Sequence, residues 1–66
     1  MMIQLNGRPR EAPRGATLLA LLVAKDLARG RVAVEVNGRL VRRADYSSVA
    51  LQESDRVEVV QFVGGG

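Results

Sequence analysis

Two segments of this chain share one pattern, an alternating apolar strand followed by Asn-Gly, and this pattern restricts the fold more than any other feature. The first segment is residues 2–6, whose last residue begins Asn6-Gly7, and the second is residues 32–36, which Asn37-Gly38 follows. Alternation at every second residue is typical of a half-buried strand. Asn-Gly favours a two-residue turn because both positions tolerate positive φ. The sequence therefore predicts two hairpins, with return strands at residues 8–12 and 39–41.

Proline and helix signals indicate how these hairpins are arranged. Pro9 lies in the first return strand and Pro13 follows it, and proline lacks an N–H, so this strand is predicted at the edge of the sheet. Between the hairpins, residues 17–29 show an apolar stripe at helical spacing. Thr17 is predicted as the N-cap of this helix, and Gly30 as the left-handed residue that ends it.

The last strand, residues 56–63, has apolar side chains on both of its faces. Val57 and Val59 share one face, whereas Val60 and Phe62 share the other. If the helix covers Val57 and Val59, then Val60 and Phe62 stand on the open face of the sheet, where they form an apolar surface for docking a partner. The alternative is a β-bulge that turns them inward.

The order of elements is strand, strand, helix, strand, short strand, strand. One helix across one face of a mixed sheet of four to five strands gives two layers around a core, so the predicted class is α+β. Tyr46, in an irregular or briefly helical stretch, is predicted to cover one end of the core, and Leu51 to anchor it. Residues 1–63 are expected to form a single domain, and residues 64–66 a flexible glycine tail.

Composition argues against a free-standing enzyme. The chain has 66 residues and contains neither Cys nor His. It therefore has no thiolate nucleophile and lacks the commonest general base and metal ligand, so we expect no metal and no cofactor of its own. We see no signal peptide or membrane-spanning segment, and expect a cytoplasmic protein without a membrane partner.

The charge of the chain leaves its partners open. Ten basic and seven acidic residues give a net charge of +3, and the nine arginines are scattered along the sequence. This distribution is typical of a solvated surface. An acidic protein partner or a nucleic acid is the alternative interpretation.

The three terminal glycines, Gly64, Gly65 and Gly66, carry the strongest chemical signal. A frayed terminus is the ordinary interpretation of such residues. Here, however, they follow a predicted strand directly and extend past it by at most ~10 Å. Glycine has no Cβ, so such an arm can pass through a narrow tunnel. Its unhindered carboxylate could be joined to AMP by an ATP-using enzyme and then converted to a thiocarboxylate or an amide.

With these features the chain resembles the ThiS family, the small ubiquitin-like sulfur carriers of thiamine biosynthesis. The resemblance covers essentially the whole chain. It is carried by the opening Ile3-Gln4-Leu5-Asn6-Gly7, the central Val34-Glu35-Val36-Asn37-Gly38 with Leu40-Val41 and Arg43, the closing Asp55-Arg56-Val57-Glu58-Val59-Val60, and the end Val63-Gly64-Gly65-Gly66. The resemblance implies a β-grasp fold whose first and last strands pair in parallel at the centre of the sheet.

The resemblance also implies a function and the partners for it. A ThiF-type adenylating enzyme would consume ATP to adenylate the carboxylate of Gly66, and a sulfur donor protein would convert it to a thiocarboxylate. Thiazole synthase, of the ThiG type, would use that sulfur to build the thiazole ring. Gly64 and Gly65 would thread the tail into these enzymes, and Val60 and Phe62 would contribute to the apolar docking surface. The chain itself would be a carrier and not an enzyme.

Two other functions remain open from the sequence. The first is a molybdopterin-type sulfur carrier or a protein-conjugating tag, which would use the same tail with a different acceptor. The second is a small basic RNA-binding module. The arginines favour it slightly, but the sequence offers only Tyr46 and Phe62 as aromatic stacking surfaces, so we expect no nucleic-acid partner.

Overall fold

A five-stranded mixed sheet with one helix on one face makes up this protein, as seen in a computed structural model that describes residues 1–62. This arrangement confirms the predicted α+β class. The predicted glycine tail, residues 64–66, lies outside the described residues together with Val63.

The two predicted hairpins are both present, and both turn through Asn-Gly. In each turn the Asn and the Gly have positive φ: 51° and 79° at Asn6 and Gly7, 52° and 82° at Asn37 and Gly38. Positive φ at both central residues gives a twist that matches the flanking strands. The hairpin strands are β1 (Met2–Leu5) with β2 (Arg8–Glu11), and β3 (Val32–Val36) with β4 (Arg39–Val41).

The last strand, β5 (Arg56–Gln61), joins the two hairpins into one sheet. The strand order is β2-β1-β5-β3-β4, with β5 parallel to β1 and antiparallel to β3. The parallel pairing of the first and last strands is therefore confirmed. The strand that contains Pro9 lies at the edge of the sheet, as its missing N–H predicts.

The helix α1 (Leu18–Ala24) begins as predicted but is much shorter than the predicted residues 17–29. Thr17 is the N-cap, and its Oγ1 accepts a hydrogen bond from the N–H of Ala20 at 3.1 Å. Leu18, Leu21 and Leu22 point into the core, as the apolar stripe predicts.

The prediction that Gly30 ends the helix is wrong, because Asp26 takes the left-handed position instead, with φ of 57°. The N–H of Leu27 then donates to the carbonyl of Leu22 at 2.7 Å, which closes a Schellman motif. Aspartate tolerates this conformation better than most residues. Leu27 packs against the core as a result, so the chain turns away from the helix axis one turn before Gly30.

The core lies between α1 and the helix-facing side of the sheet. Ile3, Leu18, Leu22, Val34 and Val57 are its largest fully buried side chains. Tyr46 and Leu51 are both buried members of the core, which confirms the prediction that Leu51 anchors it. Tyr46 belongs to a short 3-10 helix, Arg43–Ser48.

Within residues 1–62, no helix has the length and the apolar content that crossing a bilayer requires.

Candidate functional site

Strand β5 has one buried face and one exposed face, and the exposed face is the candidate site. Val59 is 8% exposed, whereas Val60 is 56% exposed and Phe62, just past the strand, is 59% exposed. The register with β3 runs without interruption from Val57 to Gln61, so the alternative of a bulge is wrong. The structure therefore confirms that Val60 and Phe62 lie on the open face.

Neighbouring strands enlarge this exposed surface in a way that the sequence reasoning missed. Ala33 lies directly opposite Val60, and Glu35 lies opposite both Glu58 on β5 and Leu40 on β4. Leu40 is 68% exposed. We call this surface the open-face patch: Ala33, Glu35, Leu40, Glu58, Val60 and Phe62. The pairing of Leu40 with Glu35 could have been predicted from the sequence, because a two-residue turn at residues 37–38 places residue 40 opposite residue 35.

The side chains of both hairpin asparagines hold β5 in place. The Asn6 Oδ1 accepts a hydrogen bond from the N–H of Val59 at 2.7 Å, which continues the β1–β5 ladder beyond the end of β1. On the other side, the Asn37 Oδ1 accepts from the N–H of Arg56 at 2.9 Å. Because a shift of one residue would exchange the two faces of a strand, these bonds help to keep the open-face patch outward.

The end of β5 is attached to the loop that precedes β3. The N–H of Phe62 donates to the carbonyl of Arg31 at 3.0 Å. The Arg43 guanidinium in turn donates to the carbonyl of Ala28 at 3.3 Å and to that of Gly30. Phe62 thus stands beside a shallow hollow of about 540 Å³ lined by Gly30, Arg31, Val32, Arg43 and Phe62. These contacts fix the point from which the chain continues toward the glycines.

The predicted reacting and threading residues, Gly64, Gly65 and Gly66, lie outside the described residues, so their roles stay predictions. Among the described residues, no group of three or more acidic side chains is placed to hold a metal ion.

The aromatic side chains bear on the RNA-binding alternative. The sequence contains one Tyr and one Phe and no Trp. Tyr46 is buried in the core, which leaves Phe62 alone as an exposed aromatic ring. Single-stranded nucleic acid is usually bound on several aromatic platforms along a basic groove. This arrangement does not favour nucleic-acid binding.

Comparisons with known proteins give a consistent answer. A family model described as the ThiS family matches residues 3–66. The chain is 36% identical over 66 residues to the sulfur carrier protein ThiS of Bacillus subtilis, covering 98% of this chain and 100% of that protein. It is 30% identical to the crystal structure of the thiamine biosynthesis protein ThiS from Geobacter metallireducens, with a TM-score of 0.84 and complete coverage of both chains.

A longer protein also contains a similar segment. The chain is 50% identical over 66 residues to a thiazole synthase from Magnetococcus marinus, a match that covers 100% of this chain and 20% of that protein. The chain thus spans one fifth of the length of this relative.

Proposed function

The chain belongs to the ThiS family, and from this premise we propose how it acts. It is a sulfur carrier protein of thiamine biosynthesis and not an enzyme. The sulfur is carried on the carboxylate of Gly66. A ThiF-type enzyme activates that carboxylate with ATP, and we place the whole process in the cytoplasm.

The observation that carries this proposal is the position of the open-face patch. Val60 is exposed on the central strand and Phe62 just past its end, and the sequence continues from Phe62 through Val63 to the three glycines. These apolar side chains are exposed at the end of the strand that precedes the tail. A partner can therefore bind this surface while it holds the tail. The chain itself supplies no Cys or His, so the catalytic groups belong to the partners.

The chemistry proceeds in three steps. A carboxylate oxygen of Gly66 attacks the α-phosphorus of ATP, and pyrophosphate leaves, which gives an acyl adenylate. A sulfur donor protein then delivers sulfur as a persulfide whose terminal sulfur attacks the acyl carbon and displaces AMP. Cleavage of the resulting acyl disulfide by a thiol of the donor or the activating enzyme, which is oxidised to a disulfide, releases the thiocarboxylate. Gly64 and Gly65, which have no side chains, let the tail enter the narrow active sites of these enzymes.

Thiazole synthase is the proposed acceptor of the sulfur. The support is that a protein named thiazole synthase contains a segment similar to the whole of this chain. Joining two partners in one polypeptide raises the effective concentration of each toward the other, which favours a carrier and an acceptor that work in sequence.

Deletion of Gly66 tests the proposal. The wild-type protein is incubated with its adenylating enzyme, ATP and the sulfur donor, and intact mass is measured for the exchange of one oxygen for one sulfur. Methionine oxidation has the same nominal mass, so tandem mass spectrometry must place the change at Gly66. We expect the deletion variant to support neither ATP–pyrophosphate exchange nor sulfur incorporation.

Two controls make this test decisive. The Gly65→Val variant keeps the terminal carboxylate but adds a branched side chain, and we expect it to block activation sterically. The circular dichroism spectra of both variants should match the wild type, because the described strands and core residues all belong to residues 1–62. Normal exchange by the deletion variant would contradict the assignment of Gly66.

A further inference from the structure

Two glutamates stand side by side at the centre of the open-face patch. Glu58 on β5 and Glu35 on β3 are directly opposite each other in the antiparallel register, and both are exposed. Side chains in such positions have Cβ atoms only about 5 Å apart, and like charges there destabilise a sheet. Within residues 1–62, no ion pair and no side-chain hydrogen bond reaches either carboxylate. The two like charges therefore stand next to each other without an ion-pair partner among residues 1–62.

Apolar side chains border this acidic pair on the sides of Leu40 and Val60, whereas Arg56, two residues before Glu58 on β5, borders it on the opposite side. Leu40 lies opposite Glu35, Val60 is the next outward residue after Glu58 on β5, and Phe62 follows beyond it. Leu40 and Val60 are each more than half exposed. A mixed surface of this kind, apolar around a small charged centre, is suited to a protein interface in which a charge pairs on binding.

The net charge of the chain is opposite in sign to that of the acidic pair. The protein as a whole has a net charge of +3, so the acidic pair is a local negative site on a basic molecule. A cationic side chain of a partner is attracted by the two carboxylates, and the exposed Arg56, two residues before Glu58 on β5, repels it on the side away from Phe62. Such complementarity fixes orientation more than it adds affinity.

Resting on the proposed function, we propose that the open-face patch binds the adenylating enzyme through a cationic side chain, arginine or lysine, that this enzyme places between Glu35 and Glu58. Apolar side chains of the enzyme cover Leu40, Val60 and Phe62. The reach of the tail supports this occupant. Four residues separate Phe62 from the reacting carboxylate of Gly66, a span of at most ~14 Å, so an enzyme that holds Gly66 must lie against the end of β5.

The inference predicts effects of opposite sign on stability and on binding. Replacing both glutamates by glutamine removes the repulsion in the free protein, so its denaturation midpoint stays equal or rises. The same change removes both acceptors for the cationic side chain, so binding weakens. A role of these glutamates in stability alone would not give this combination.

The test is steady-state ATP–pyrophosphate exchange by the adenylating enzyme, with the full-length carrier as the varied substrate. For the Glu35→Gln, Glu58→Gln double variant we expect the KM for the carrier to rise at least tenfold with little change in kcat. The dependence of KM on salt should also become weaker. The Glu35→Asp, Glu58→Asp variant keeps both charges and should stay within about threefold of the wild-type KM.

Glu11→Gln is the matched control. Glu11 is an exposed glutamate on the same face of the sheet, opposite Met2, at the end away from Phe62. Its replacement removes one negative charge and should leave KM unchanged. An unchanged KM in the double glutamine variant, or an equal rise in Glu11→Gln, would overturn this inference and leave the proposed function standing. Failure of the wild-type protein to support exchange would overturn both.

Discussion

The two faces of the central sheet differ in what their residues do, although they alternate along the same strands. On the helix side, Val57 and Val59 of β5 and Val34 of β3 are buried against α1. On the open side, Glu58 and Val60 are exposed and contact no covering layer among the described residues. A single strand therefore has buried odd positions that stabilise the core and exposed even positions to which we assign recognition, so we expect that the two roles can be changed independently.

The strongest test of this separation places one substitution on each face. Val59→Asp puts a carboxylate into the core, and we expect it to cost more than about 4 kcal/mol because the charge is desolvated and unpaired. A core of this size rarely supplies more than about 3–5 kcal/mol, so the variant should be unfolded. Circular dichroism and urea denaturation would measure this.

Val60→Asp is the control for that variant, because it is the adjacent residue on the same strand and is exposed. We expect it to change the free energy of unfolding by less than about 1 kcal/mol. If both variants unfold to the same extent, the open face is as important for stability as the core, and the separation of roles is wrong.

A second prediction concerns the asparagine hydrogen bonds that help to fix which face of β5 is buried. In Asn6→Ala, the partly buried N–H of Val59 loses its acceptor, and alanine must adopt a φ of about 51°. We expect a loss of about 2 kcal/mol in the free energy of unfolding. Asn37→Ala should cost less, because the N–H of Arg56 that it leaves is exposed to water.

Asn6→Gly separates the effect of the lost hydrogen bond from that of backbone strain, because glycine tolerates positive φ but supplies no acceptor. A stability equal to that of the wild type would mean that the hydrogen bond to Val59 contributes nothing. Asn6→Asp keeps an acceptor oxygen and should retain most of the stability, as measured by urea denaturation.

The smallest effect on stability is expected at the end of the open face. Phe62→Asp should change the free energy of unfolding by less than about 0.5 kcal/mol, because Phe62 is largely exposed. Its affinity for the adenylating enzyme should nevertheless fall more than about tenfold, since aromatic side chains often dominate interfaces. Isothermal titration calorimetry would measure the binding.

Val23→Asp provides the comparison for Phe62→Asp. Val23 is 62% exposed, close to the 59% of Phe62, but it lies on the helix, away from the open face. We expect its affinity for the enzyme to match the wild type. If Phe62→Asp unfolds the protein without a separate loss of binding, Phe62 belongs to the core. The division into a stabilising face and a binding face would then not hold at the end of β5.

Features that depend on neighbouring residues could be predicted from the sequence. The Asn-Gly turns, the Thr17 cap and the alternation of Val57, Val59 and Val60 follow from local preferences, and the structure confirms them. The end of the helix could not be located in the same way. Asp26 and Gly30 both adopt positive φ, and the sequence alone does not show that Leu27, just after Asp26, packs on the core.

Features that join distant segments were also missed. The bond from Val59 to Asn6 connects residues 53 positions apart, and the pairing of Glu35 with Glu58 depends on the register of β3 and β5. Neither has a local signature. The open-face location of Val60 and Phe62 was predictable, whereas the acidic pair at the centre of the patch appears only when the strands are aligned.

The central position of β5 has a mechanical consequence. The strand has hydrogen-bonded neighbours on both sides, β1 and β3, and it is the strand from which the chain continues toward the glycines. A pull on the tail therefore acts along the strand and loads two ladders in shear at once, instead of peeling an edge strand away bond by bond. If enzymes act on the C-terminal carboxylate as we propose, they can pull on residues 63–66 while the body of the carrier stays folded.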